Sequence, residues 1–151
     1  YMVVPRWAVA DLGDAVRSLY RGGQAVEQRA LARFLESGQL MRHLRRMGPI
    51  YRERQQALRN ALHAHFGADC PILGGQAGLH LVLRLPDSLP DSAMTEAARE
   101  NGIAVRPLSI YHAGRTGTNG LLLGYGIAES QRIPELVRRL RLAADGLAAS
   151  R

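Results

Sequence analysis

The spacing of the apolar residues changes near Gly67, and this change limits the folds open to the chain. Before Gly67, apolar side chains recur at helical spacing and predict a long helix over Gln39–Phe66. The helical stripe consists of Leu40, Leu44, Met47, Tyr51, Leu58, Leu62 and Phe66. After Gly67, leucines alternate with other residues over 79–85, which predicts a strand with one apolar face. Both periods in one chain of this length predict an α+β domain.

Shorter patterns predict the remaining elements. The apolar residues at 1–4 predict the end of a buried strand, which Pro5 stops. Further helices are expected over 6–20, 26–36, 92–100 and 129–147, and short strands over 103–107 and 121–125. The order after Gly67 therefore predicts a small, mostly antiparallel sheet packed with helices and preceded by a helical segment.

Individual residues predict where these helices bend, begin and end. Gly48 and Pro49 lie inside the long helical pattern, so we expect a kink there. Asp91 or Ser92 is expected to cap the helix that ends near residue 100. The Arg21-Gly22-Gly23 segment is predicted to end the first helix.

The charge of the chain leaves two interpretations open. Its net charge is +7, and all 20 of its lysine-or-arginine positions are arginine. A basic balance of this size favours a nucleic acid or an acidic membrane as partner, which the arginines of 42–59 would contact. The arginines are spread along the chain, however, and only 5% of residues are aromatic, unlike the pattern of single-strand binders. We therefore prefer a composition bias toward arginine.

Several observations concern compartment and completeness. No apolar run is long enough to span a membrane, and the N-terminus lacks the pattern of a signal peptide. The single cysteine, Cys70, cannot form an internal disulfide. We expect a cytoplasmic protein. The sequence starts at Tyr1 rather than at a methionine, so we also expect a fragment of a longer polypeptide.

Few residues are arranged for chemistry. None of the five histidines lies at ligand spacing from a carboxylate or cysteine, so no metal site is predicted. The acidic residues are scattered, and no catalytic residue is assigned. The glycine-rich stretch 74–78 precedes a strand and is predicted to be a turn rather than a phosphate loop. In 104–111 a strand ends in Arg106-Pro107, and the following loop carries Ser109 and Tyr111, which either line a pocket or form a surface connection.

Three segments after Gly67 carry a resemblance to a known family. They are AGLHLVLRLP at 77–86, GIAVRPLS at 102–109 and GLLLGY at 120–125. Earlier segments, YMVVP at 1–5, EQ with AL at 27–31, and RHLRRM with YRER at 42–54, match the same family in the same order. Together they resemble the C-terminal part of MocR-type regulators, which are bacterial transcription factors of the GntR superfamily.

The resemblance implies an architecture and a cofactor. Such regulators join an N-terminal winged helix-turn-helix to a domain shaped like a fold-type I aminotransferase, which binds pyridoxal phosphate (PLP), dimerises and senses an effector. It implies that 1–38 is the end of the large domain with connecting helices, and that 39–151 is a long helix plus the small C-terminal domain. The Schiff-base lysine would lie upstream of Tyr1, and since this chain has no lysine it cannot bind PLP covalently.

The resemblance also implies a function and a candidate site. The chain is predicted to be the effector-sensing and dimerisation portion of such a regulator, with DNA bound through the missing winged helix and no catalysis of its own. Arg106, Ser109, Tyr111 and Tyr125 are the predicted residues of the effector pocket. True aminotransferases of this fold carry a substrate-binding arginine at the position of Leu122, and leucine cannot form that ion pair. The alternative is the small domain of a genuine class I/II aminotransferase.

Overall fold

The structure, a computed structural model, describes residues 2–20, 24–112 and 117–149. The chain divides into two compact units, Tyr1–Arg46 and Met47–Arg151, and the division falls inside the long helix. Within the described residues, no helix has both the length and the apolar character needed to cross a membrane.

The first unit is helical. A 3₁₀ turn at Arg6–Ala8 leads into α1 (Val9–Tyr20), followed by α2 (Ala25–Glu36) and the start of α3 (Gln39–Phe66), as the periodicity predicts. Among the described residues of this unit only Ala8 is buried, while Trp7 is 82% exposed and Val26 is 79% exposed. The apolar stripes of α1 and α2 therefore lie largely in solvent.

Two predictions for this unit fare differently. The buried strand predicted at 1–4 is wrong for the described part, since residues 2–4 lie in no strand and Met2 and Val3 are exposed. An apolar run needs a neighbouring strand to complete its hydrogen bonds, and none pairs with it among the described residues. The break predicted at Arg21-Gly22-Gly23 lies outside them.

The long helix α3 continues through Gly48 and Pro49 without interruption, and the kink stays a prediction. Its second half buries Leu58, Leu62 and Phe66, which end the predicted stripe, and also Ala61. Gly67 follows with a φ of 68°, a left-handed conformation that favours glycine and ends the helix.

The second unit contains a four-stranded antiparallel sheet, which confirms the predicted α+β class. The strands are β1 (Ile72–Gly74), β2 (His80–Arg84), β3 (Arg106–Pro107) and β4 (Gly120–Gly124), in the order β1-β2-β4-β3. The sequence prediction missed β1, because its last residue, Gly74, was interpreted as the start of a turn over 74–78. The strand predicted over 103–107 is shorter in the structure, since only Arg106 and Pro107 pair with β4.

One face of the sheet forms the core. Leu81, Leu83, Leu121 and Leu123 are buried there with side chains of α3, α4 (Asp91–Glu100) and α5 (Ile133–Ala149). The helix α5 begins four residues later than predicted, with Pro134 in its first turn, where a missing N–H costs no helical hydrogen bond. The alternating residues of β2 on the opposite face, His80, Val82 and Arg84, are exposed or half-buried.

The predicted cap of α4 is wrong. Pro90 occupies the N-cap position and offers no side-chain cap, and the N–H of Asp91 donates instead to Asn119 Oδ1 at 2.8 Å. Asp91 instead lies inside the first turn and is buried, at 4% exposure. Its carboxylate accepts hydrogen bonds from residues that are distant in sequence, so it joins separate elements of the second unit.

Candidate functional site

Arg106 and Tyr111 are brought together by the turn that follows β3. Pro107 ends the strand, and a 3₁₀ turn over Leu108–Tyr111 reverses the chain. Arg106 Nη1 then donates a hydrogen bond to the Tyr111 hydroxyl at 3.3 Å. This bond raises the pKa of the Arg106 guanidinium above its ordinary value, so the group stays charged. Both side chains are exposed, and together they present a cation held beside a phenol.

Ser109 lies in the same turn but faces Asp91. The Ser109 hydroxyl donates to Asp91 Oδ1 at 2.9 Å, and its backbone N–H donates to Asp91 Oδ2 at 2.8 Å. The N–H of Gly120, at the start of β4, also donates to Asp91 Oδ2, at 3.4 Å. The carboxylate thus holds α4, the 3₁₀ turn and β4 together, and the Ser109 side chain is engaged in that contact.

Tyr125 is a buried residue directly after β4, and its hydroxyl is fully engaged. It donates to the carbonyl of Gly78 at 2.8 Å and accepts from Gln55 Nε2 at 3.0 Å. Gln55 Nε2 also donates to the carbonyl of Gly75 at 2.7 Å. These bonds fix the glycine-rich connection between β1 and β2 against α3.

A pocket of about 740 Å³ opens where β3 separates from β4. Its lining includes two of the four predicted effector residues, Arg106 and Tyr125, but neither Ser109 nor Tyr111. Most of the other lining side chains are aliphatic, and they come from the strand edges and from α5. They include Ile103, Val105, Leu122, Ile133, Leu136 and Val137. A mostly apolar cavity with a few charged groups is typical of small-molecule sites.

Two further lining residues were not predicted as site residues. His80 and Leu122 also line this pocket and point to the face of the sheet opposite the core, while the lining also includes core residues such as Leu58 and Leu123. The strand alternation carried the signal, because Leu81 and Leu123 point to the core and their neighbours must point the other way. The sequence prediction for Leu122 concerned only the substrate-binding arginine that aminotransferases of this fold carry at this position.

The described residues contain no group of three or more His, Cys, Asp or Glu side chains placed to hold a metal ion. The polar side chains that line the pocket, among them His80, Arg106 and Tyr125, are suited to hydrogen bonding and to charge pairing. Arg132 and Glu129, from the segment between β4 and α5, complete this set.

Comparison with known proteins shows the family to which the sequence belongs. The sequence matches aminotransferase class I and II over residues 1–139. It is 29% identical over 99% of its length to the uncharacterized HTH-type transcriptional regulator YhdI of Bacillus subtilis. It is also 32% identical over 99% of its length to the probable rhizopine catabolism regulatory protein MocR of Rhizobium meliloti. The chain spans 32% and 30% of the lengths of these relatives.

A solved structure extends the comparison to the fold. LysN, an α-aminoadipate aminotransferase from Thermus thermophilus complexed with N-(5'-phosphopyridoxyl)-L-leucine, matches with a TM-score of 0.82 and 27% identity. The match covers 99% of this chain and 38% of LysN. The predicted resemblance to MocR-type regulators and the predicted aminotransferase-like fold are thereby confirmed. The chain belongs to the aminotransferase class I and II family.

Proposed function

We propose that the chain is the C-terminal, effector-sensing and dimerisation portion of a PLP-dependent regulator of the MocR type, and that it is not itself catalytic. The observation that carries this proposal is the likeness to YhdI and MocR over 99% of the chain. The complete regulator would bind DNA through a helix-turn-helix domain outside these 151 residues, which implies a cytoplasmic protein and a homodimer as the functional unit.

The residues of this chain do not fit a covalent PLP site. PLP is held as a Schiff base on a lysine amine, and the chain contains no lysine. The related LysN binds a phosphopyridoxyl derivative of leucine, which supports a PLP-type pocket in the complete protein. We therefore infer that any covalent attachment uses a lysine outside this chain, and that these residues shape the effector side of the pocket.

The contacts of the four predicted effector residues favour two different roles, namely direct contact with the effector and support of the pocket walls. Arg106 and Tyr111 have exposed polar groups, and we propose that they meet the effector. The hydroxyls of Ser109 and Tyr125 are already bonded to Asp91, Gln55 and Gly78, so we propose that these two residues support the pocket walls.

The second candidate function is transamination, as the small domain of a genuine aminotransferase. The match to LysN over 99% of the chain favours it. Leu122 weighs against it, because a leucine cannot replace the charge-assisted, bidentate contact of an arginine with a substrate carboxylate.

The complete polypeptide that carries this chain separates the two functions. Binding to a labelled duplex from its own upstream region is measured by fluorescence anisotropy, with and without PLP and a set of amino acids and amines. The same preparation is assayed for transfer of the amino group to 2-oxoglutarate. A regulator binds the duplex with an affinity that changes on adding PLP or an amino compound, and lacks turnover. Turnover without specific DNA binding would establish the aminotransferase and end the regulator proposal.

A further inference from the structure

The face of the sheet opposite the core carries one continuous row of side chains. The strand registers pair Leu73 with Val82, Val82 with Leu122, and Leu122 with Arg106. Residues paired across an antiparallel sheet lie on the same face, so these four side chains cross all four strands in line. The row is aliphatic over three strands and ends in a guanidinium.

One glycine leaves the surface beside this row open. Gly124 lies two residues from Leu122 on β4, on the same face, and is exposed, whereas Gly120 on the other side is buried and a Cβ there would lie 2.8 Å from the Leu83 carbonyl oxygen. A Cβ placed on Gly124 would lie 3.5 Å from Cδ2 and 3.6 Å from Nε2 of His80, so the imidazole stands next to bare backbone. Arg106, Leu122, Gly124 and His80 all line the 740 Å³ pocket. The pocket lining therefore brings a guanidinium, an imidazole and the aliphatic side chain of Leu122 to one surface.

The charge of Arg106 is unmatched within the described part of the chain. Arginines on the helices pair with carboxylates one turn away, as in Arg99 with Glu96 and Arg138 with Glu135. Arg106 has no carboxylate within ion-pair distance among the described residues, and its hydrogen bond goes to the neutral Tyr111. The paired positions of this sheet face carry no acidic side chain, and Glu129, which lines the same pocket, forms no ion pair with Arg106. A fixed, exposed cation beside apolar surface favours an anion with an apolar body.

We propose that Arg106 binds the carboxylate of an aliphatic acid whose chain lies over Leu122 and Gly124. This inference rests on the proposed function, because the acid would be the effector or part of it. The planar guanidinium matches a carboxylate in geometry, and Tyr111 holds it in place. The anion-contacting residue would then stand on β3, across the strand pair from Leu122, rather than on β4.

Ligand-observed NMR on the complete polypeptide without DNA tests this placement. The probes are pentanoate and 4-methylpentanoate, each compared with its neutral amide. A hydrogen-bonded charge pair predicts that the wild-type protein prefers each acid over its amide by roughly tenfold or more. Arg106→Gln keeps most of the side-chain length but removes the charge, so the preference should fall to near one. Arg106→Lys keeps the charge but loses the planar fork, and should retain an intermediate preference.

Two matched variants locate the ligand. Arg84→Gln removes a cation from the same sheet face, two residues from Val82 and outside the pocket lining, so it should leave the preference for the acid unchanged. Gly124→Ala adds a methyl group at ordinary contact distance from His80, so the fold should tolerate it while acid and amide both bind several-fold more weakly. Circular dichroism checks that each variant is folded.

Each contrary outcome overturns the proposal. Absence of an acid preference in the wild type, or its persistence in Arg106→Gln, removes Arg106 as the contact. Equal loss in Arg84→Gln indicates a diffuse positive field instead of a site. Displacement of the acids by inorganic phosphate at equal concentration would replace the carboxylate class by phosphate. Since no DNA is present, failure of the regulator proposal would appear separately, as loss of duplex binding with carboxylate recognition intact.

Discussion

Replacing Asp91 by alanine tests whether this carboxylate is an internal acceptor or a helix cap. In the structure it receives the N–H and the hydroxyl of Ser109 and the N–H of Gly120, and it is buried. A buried donor left without an acceptor costs about 1–3 kcal/mol, and this applies to the N–H of Gly120 but only in part to that of Ser109, which is an exposed residue. With a discount for the long 3.4 Å bond to Gly120, Asp91→Ala should destabilise the second unit by about 2 kcal/mol. Loss of a cap alone would cost only about 1 kcal/mol.

Urea unfolding of the 151-residue chain, followed by far-ultraviolet circular dichroism, measures the difference. Asp87→Ala serves as the control, since Asp87 is an exposed carboxylate in the turn just before α4, and it should change the free energy of unfolding by less than about 0.5 kcal/mol. Asp91→Asn keeps one acceptor oxygen and should fall between the two. If Asp91→Ala costs no more than about 1 kcal/mol, the carboxylate does not join the elements as described.

One further substitution, at Tyr125, and one chemical modification, at Cys70, test the environments of two other buried side chains. Tyr125→Phe removes the hydroxyl that links Gln55 to the carbonyl of Gly78, and should lower the free energy of unfolding by about 1–2 kcal/mol in the same urea assay. Unchanged stability with a lost effector response would instead make Tyr125 a ligand contact. Burial raises the pKa of the Cys70 thiol, an effect that Arg141 partly opposes, so less thiolate is present near neutral pH than in the unfolded chain. Iodoacetamide should therefore modify Cys70 much more slowly in the folded protein than in urea, and equal rates would contradict this burial.

The periodicity of the sequence was sufficient to predict most of the helices and strands of the second unit. The alternation of leucines over 79–85 identified the buried face of β2, and helical spacing identified α3 and α5, because both signals are set by burial of a continuous core. The missed strand β1 is three residues long, has Ile72 as its single β-branched residue and ends in Gly74, so it is too short to show a period. Its pairing with β2 depends on tertiary contacts that a local pattern does not contain.

Side-chain partners were less predictable than elements. Aspartate is a residue type typical of a helix N-cap, but the Asp91 carboxylate instead accepts hydrogen bonds from three donors that the 3₁₀ turn and β4 supply. Likewise, Ser109 and Tyr125 were predicted to be residues of the effector pocket, and only the folded structure reveals that their hydroxyls already form hydrogen bonds within the protein. A sequence pattern gives the direction of a side chain along an element, whereas the bonds it makes depend on which elements meet.

The three consecutive leucines of β4 show how one strand can build the core and leave its other face to the proposed ligand site. Residue type does not distinguish them, yet Leu121 and Leu123 are buried in the core while Leu122 is half-buried on the opposite face beside Arg106. Because β4 is central in the sheet, its core-facing leucines fix the strand while the other face stays available. Gly124 leaves one side of Leu122 open, and under the proposal a change of polarity at residue 122 or at its cross-strand partner would alter recognition without removing a core side chain. An arginine on β3 instead of β4 is thus a change that this sheet accommodates without loss of its core.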